Sequence, residues 1–240
     1  LPFTSMLFGL TSPEQYSWFY YGGGMELMKH GVLSFPGGST GVHKKEINTL
    51  EDLKGLKMRI PGFAGEIMAK LGVQVTNLAP GELFTSLEMG TIDALEWVGP
   101  SMDISMGFHK VAPYYYTGWH EPASEMQFIV NTKKFDKLPD DLKEIMLAAI
   151  RLSAYDMYIQ NYDMNANAWQ KMKTEYPNIQ VKTFSKSIMD EMKKANQELR
   201  NDMGASSPLL KEILNSQDVY MKKVREWTKM SDYLYLKDNL

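Results

Sequence analysis

The sequence predicts an α/β protein whose first half alternates short strands with helices and whose second half is helical. Three observations predict it. Short apolar runs alternate with helix-period patterns up to about Asn131, and each junction carries Gly or Pro. That rhythm reads β-α-β-α-β, which builds a parallel or mixed sheet with its ligand crevice outside the carboxyl ends of the strands. From Pro139 onward helical patterns dominate. With 240 residues, 44% of them hydrophobic, the chain can bury one large core or two small ones.

Thr11 or Ser12 before Pro13 starts a helix that carries Tyr16, Trp18, Phe19 and Tyr20 and is broken or kinked by Gly22-Gly23-Gly24. Val32 to Phe35 reads as a strand, and Gly37-Gly38-Ser39-Thr40-Gly41 as a flexible turn near a ligand; it lacks the Gly-Lys-Ser/Thr of a P-loop and a full GxGxxG. Thr49 to Asp52 begins a short helix ended by Gly55. Met58 to Ile60 is a strand, Phe63 to Leu71 a helix, Val73 to Val75 a strand, Gly81 to Glu88 a helix and Ile92 to Trp97 a strand. Val111 to Tyr116 and Met126 to Asn131 read as two more strands. A long helical pattern follows from Asp140 to Tyr176, with a polar interruption at Asn161 to Asn167, and then a strand at Ile179 to Val181. Helices at Ser185 to Met203 and Pro208 to Lys229 close the chain, with Gly204 as the end of the first. The aromatic clusters at 18–21 and 114–116 read as core, and the 18 methionines as core filler.

Composition narrows the function. A net charge of −3 carries no basic surplus, so nucleic acid is not expected as a partner. Cysteine is absent, which excludes thiolate metal sites and fits an oxidising compartment. No apolar run reaches the length of a membrane span, and no charged-then-apolar leader precedes Leu1.

Arg59 stands out because arginine is scarce here, four residues against twenty-two lysines, and because it ends a strand beside Gly62. A guanidinium grips a carboxylate with two parallel hydrogen bonds, which an ammonium cannot do; the alternative is a surface ion pair. Glu96 ends an apolar strand, where a carboxylate must be paired, protonated or bound to a cation, unless it caps the helix that begins near Ser101. The loop Trp119-His120-Glu121-Pro122 adds an indole, an imidazole and a second carboxylate. His120 in a loop reads as an ordinary hydrogen-bonded residue, whereas Glu121 suits a hard cation such as sodium or calcium. No HExxH spacing and no GxSxG elbow occur.

Together four segments resemble the periplasmic solute-binding subunit of TRAP transporters, the DctP-like family, in its subgroup that binds 2-oxo and 2-hydroxy acids. They are Phe19 to Gly24, Glu51 to Ile60, Gly90 to Pro100 and Tyr116 to Pro122. The resemblance implies a two-lobed periplasmic binding protein-like fold with mixed sheets, an interlobe cleft and a long lobe-spanning helix, best placed at Leu142 to Tyr176. It implies capture of a small organic acid without catalysis, delivery to the membrane permease subunits, and no organic cofactor. Arg59 takes the place of the carboxylate clamp. Glu96 and the backbone carbonyl of Trp97 take that of cation contacts, with the Trp97 indole closing over the ligand and a sodium or calcium ion bridging ligand and protein. Glu121 extends the cation set, and Trp119 and Phe3 the substrate-binding set.

Two departures follow. The family's N-terminal β-α-β portion has no counterpart here, so the chain reads as a fragment with an incomplete first lobe: 1–10 and 97–127 as its remnant, 11–96 and 128–240 as the second lobe. Where the subgroup carries Thr-Gly-Val-Gln, the glutamine a cation ligand, this chain has Thr40-Gly41-Val42-His43, which makes His43 the candidate ligand and leaves the ion open. The stretch Leu209 to Leu236 resembles the helix through which subgroup members form homodimers; the alternative is packing on its own lobe. Two other functions compete: a metal-assisted enzyme on 2-oxo acids with Glu96 or Glu121 as general base, and a carboxylate-sensing module.

Overall fold

The computed structural model describes residues 6–28, 33–35, 41–119, 121–122, 124–126 and 128–240. Helix α1, Ser12–Tyr21, follows Thr11, whose backbone N–H donates to Glu14 Oε2 at 2.8 Å, and Pro13 sits in its first turn. It stops at the glycine triplet, where Gly23 takes φ 84°, and α2 restarts at Gly24–Met28. Strands β1 (Leu33–Phe35) and β2 (Gly41–His43) precede a 3₁₀ turn at Glu51–Leu53 and strand β3, Lys57–Arg59. Helix α3 (Gly62–Lys70), strand β4 (Gln74–Thr76), helix α4 (Leu83–Glu88) and strand β5 (Ala94–Glu96) complete the β-α-β-α-β run. Helix α5 (Pro100–Ser105), strands β6 (Tyr114–Thr117) and β7 (Ser124–Met126), and helix α6 (Thr132–Phe135) lead to α7, Asp140–Glu175. Strand β8 (Gln180–Thr183) and helices α8 (Lys186–Ser206), α9 (Pro208–Thr228) and, after a π turn, α10 (Leu234–Asn239) end the chain.

Six strands form a mixed sheet in the order β4-β3-β5-β2-β6-β8. β3 pairs parallel with β4 and β5, β6 parallel with β8, and β2 runs antiparallel between β5 and β6. Side chains alternate across the sheet. On one face Met58, Ala94 and Tyr116 pack with Ile67 and Met68 of α3 and Ile188 and Met192 of α8. On the other, Val42, Leu95 and Tyr115 pack with Leu83, Leu87, Phe108 and Met172. β1 and β7 pair in a separate two-stranded sheet. Sheet membership therefore cuts across the segment division expected from sequence: 114–117 lies beside 41–43 and 94–96, while 33–35 joins 124–126.

Several elements depart from the sequence reading. Gly41 opens strand β2 instead of ending a turn, because hydrogen-bonding partners on both sides hold a strand too short for propensity to specify. Residues 128–131 are not a strand; the Asn131 side chain accepts from the Lys134 N–H and caps α6. α7 runs unbroken through 161–167, where Asn161 and Asn167 turn their amides back to Met157 O and Asp163 Oδ2 within the helix. α8 passes through Gly204 and stops at Ser207, which the following Pro208 forces to an extended conformation, φ −156° and ψ 130°. Among the described residues no helix is long and apolar enough to cross a membrane.

Candidate functional site

Arg59 ends β3, and Pro61 together with Gly62, at φ 62°, turns the chain directly into α3. The side chain is largely buried: the residue is 8% exposed, as is Glu96 at the end of the adjacent β5. Arg59 Nη1 donates to the Glu96 carbonyl oxygen at 2.7 Å and lies 3.5 Å from Glu96 Oε2. The guanidinium carbon stands 5.1 Å from the Trp97 ring centroid. Nε has no hydrogen-bond partner among the described residues. One prong of the fork is thus committed to fixing the group, and the Nε edge is left for another acceptor. Burial works against the cationic form, and Glu96 offsets part of that cost.

Glu121 reaches the same place from the loop after β6. Burial first, and the Glu96 charge second, push its carboxyl up to about 8, against the pull of the Ala64 backbone N–H that donates to it. Two carboxylates and one guanidinium leave one negative charge in excess when all are ionised. A proton on Glu121 or a bound cation removes it. Glu96, Glu121 and the Trp97 carbonyl are all oxygen donors, which is the set a hard cation takes. Among the described residues no group of three or more His, Asp or Glu side chains gathers as metal ligands, so backbone or ligand oxygens would have to complete the shell.

His43 pairs across the sheet with Ala94, two residues before Glu96. It is 0% exposed, its ring centroid 4.7 Å from that of Tyr116 and 6.1 Å from that of Phe184, and neither ring nitrogen has a partner among the described residues. Burial holds its pKa down to about 3, so the imidazole is neutral. Trp119 is 1% exposed and packs edge-on to Phe184 at 5.4 Å; its Nε1 and that of Trp97 also have no hydrogen-bond partner among the described residues. Phe3 and His120 lie outside the described residues. The structure therefore brings together Arg59, Glu96, Trp97 and Glu121, and sets His43 and Trp119 in an aromatic layer with Tyr116 and Phe184.

Two contributors carried no local signal. Gly41 pairs across the sheet with both Glu96 and Tyr116, and the Ala64 N–H serves Glu121; each depends on segments distant in sequence. A groove of about 740 Å³ between the end of α1 and α9, lined by Tyr21, Lys211, Val219 and Tyr220 among others, holds no buried ionisable group. The buried ionisable groups Arg59 and Glu96 lie instead at the strand ends.

This architecture is that of an α/β solute-binding protein. The chain belongs to the DctP family, bacterial extracellular solute-binding protein family 7, which matches residues 5–207. A TRAP periplasmic solute-binding protein from Colwellia psychrerythraea, solved with bound calcium and pyruvate, is 52% identical and superposes with a TM-score of 0.92 over 98% of this chain and 75% of that one. Its counterpart from Pseudoalteromonas atlantica, with bound sodium and pyruvate, is 54% identical, with a TM-score of 0.90 over 98% and 74%. A monocarboxylate 2-oxoacid-binding periplasmic protein of Nostoc is 34% identical over 97% of this chain; the chain spans 66% of that relative's length. The family resemblance read from the motifs holds, and so does the mixed-sheet fold it implied.

Proposed function

We propose that the protein is the extracytoplasmic solute-binding subunit of a TRAP transporter that captures a small 2-oxo or 2-hydroxy acid together with a sodium or calcium ion. One observation carries this reading: a buried guanidinium anchored on Glu96 leaves its Nε edge without a partner among the described residues, and burial together with the Glu96 charge disfavours an ionised Glu121 unless a cation joins them. The Arg59 edge receives the ligand carboxylate and Trp97 walls it; the substrate contacts of Trp119 and Phe3 rest on the family resemblance. Glu96, Glu121 and the Trp97 carbonyl hold the ion, which neutralises the pair and bridges to the ligand. His43, in the place of the relatives' glutamine, stands behind this set. Neighbours solved with pyruvate and calcium, or pyruvate and sodium, support the assignment.

In this reading the protein is periplasmic, closes two lobes on its ligand around α7, releases it unchanged to membrane permease subunits, and catalyses nothing. Exposed Trp227, Met230, Tyr233 and Tyr235, from the end of α9 through the π turn into α10, supply an apolar surface for a homodimer.

Titration calorimetry with pyruvate, in calcium and in sodium, tests the proposal. Saturable one-to-one binding with pyruvate recovered intact is expected. Absence of heat with every 2-oxo and 2-hydroxy acid tried, or conversion of the acid to product, would overturn it.

A further inference from the structure

We infer that Gly41 is a positioning residue of the site: its missing side chain is the slot that seats the Trp119 indole and the His43 imidazole beneath the end of β5. This rests on the carboxylate-binding reading above. In β2, Gly41 and His43 point to the same face, and Gly41 sits in register with Glu96. A Cβ at Gly41 would stand 2.8 Å from Trp119 Cζ2 and 2.9 Å from His43 Nε2, closer than side-chain carbons tolerate. Both neighbours are more than nine-tenths buried, and both are braced by Phe184. Neither can swing aside without disturbing the aromatic layer. His43 Nε2, unpartnered among the described residues, is therefore directed into the space beside Gly41, at the level of Glu96, and the indole edge fills the rest.

The requirement is steric and not one of backbone freedom. A methyl group there would displace the indole and imidazole packed beside the end of β5 while leaving Arg59, on the opposite face of the sheet, in place.

Gly41→Ala, Trp119→Phe and the double variant test this by pyruvate calorimetry and near-UV circular dichroism. Phe lacks the second ring that carries Cζ2, so it relieves the closer of the two clashes and gives the His43 imidazole room to shift. Gly41→Ala is expected to weaken pyruvate binding about tenfold or more and to alter the indole signal, and to cost much less when introduced into Trp119→Phe. If Gly41→Ala folds only with Trp119→Phe, the slot is likewise established. Unchanged affinity, an equal loss in both backgrounds, or failure to fold in both would overturn the inference. If the wild type binds no pyruvate, the function proposed above fails; the indole signal of Gly41→Ala then decides the slot on its own.

Discussion

Arg59 donates from Nη1 to the carbonyl oxygen of Glu96 at 2.7 Å, so the residue that would grip the ligand is oriented by the residue that would hold the ion. The bond joins the ends of two parallel strands and points the guanidinium without consuming its Nε edge. Arg59→Lys keeps the charge and removes the fork. A point charge cannot serve the Glu96 carbonyl and a carboxylate in the same geometry. Carboxylate affinity should fall more than about tenfold, roughly 1.4 kcal/mol, by calorimetry, and an unchanged Kd would show that the fork is not the clamp.

Glu96→Gln removes one carboxylate of the pair while keeping its shape. In the wild type, chelator treatment or replacement of sodium by choline should weaken pyruvate binding. In Glu96→Gln that response should vanish, since the excess negative charge that calls for a cation is gone. An equal cation response in both proteins would move the ion elsewhere.

His43 predicts an acid-sensitive fold. Its folded-state pKa, about 3, lies below the ordinary value of 6.5, so the unfolded chain takes up the proton first. The stability it confers is full above about pH 6.5 and declines as pH falls toward 3. His109, its ring tilted against that of Tyr176 with centroids 4.2 Å apart, is also lowered, by burial and then by Lys110 and Lys171, and acts in the same direction. Glu121 acts oppositely: raised to about 8 from 4.5, it stabilises at low pH and loses that contribution as pH rises through its folded value. The test is therefore a difference. Urea midpoints measured from pH 7 to pH 4 in chelator should fall less steeply for His43→Gln than for the wild type, and parallel curves would refute the assignment.

How much of this was legible in the sequence depends on where the determinant sits. Arg59 and Glu96 were readable because a scarce arginine and a carboxylate at the ends of apolar strands are costly wherever the chain puts them. The break at Gly22-Gly23-Gly24 was readable because glycine acts locally. The polar run 161–167 misled, since Asn165 does not interrupt α7; its Oδ1 accepts from the backbone N–H and hydroxyl of Ser101, at 3.1 and 3.0 Å, and so caps α5 across space. β2 was missed for the same reason: three residues between two strands are made a strand by their neighbours. His43 was legible as a departure from the relatives, yet its seat among Tyr116, Phe184 and Trp119 was not, because those rings come from β6, the loop after it and the segment before α8.

Gly204 separates the sequence reading from the structure in one substitution. A glycine that ends a helix in the left-handed conformation resists alanine, because the added Cβ is strained there. In the structure Gly204 lies within α8, is absent from the positive-φ glycines, and the nearest atoms a Cβ would meet are those of Lys211, at 3.7 to 3.8 Å, an ordinary van der Waals distance. Helical glycine then costs backbone entropy with no compensating freedom, and Gly204→Ala should stabilise by about 0.5–1 kcal/mol. For a chain of this size that is a rise of roughly 1–4 °C in Tm, measurable by calorimetry. The substitution lies far from Arg59 along the fold, so pyruvate affinity should stay as in the wild type. A fall in Tm would mean that α8 ends at Gly204 after all and that the turn to α9 is made by glycine and not by Ser207-Pro208.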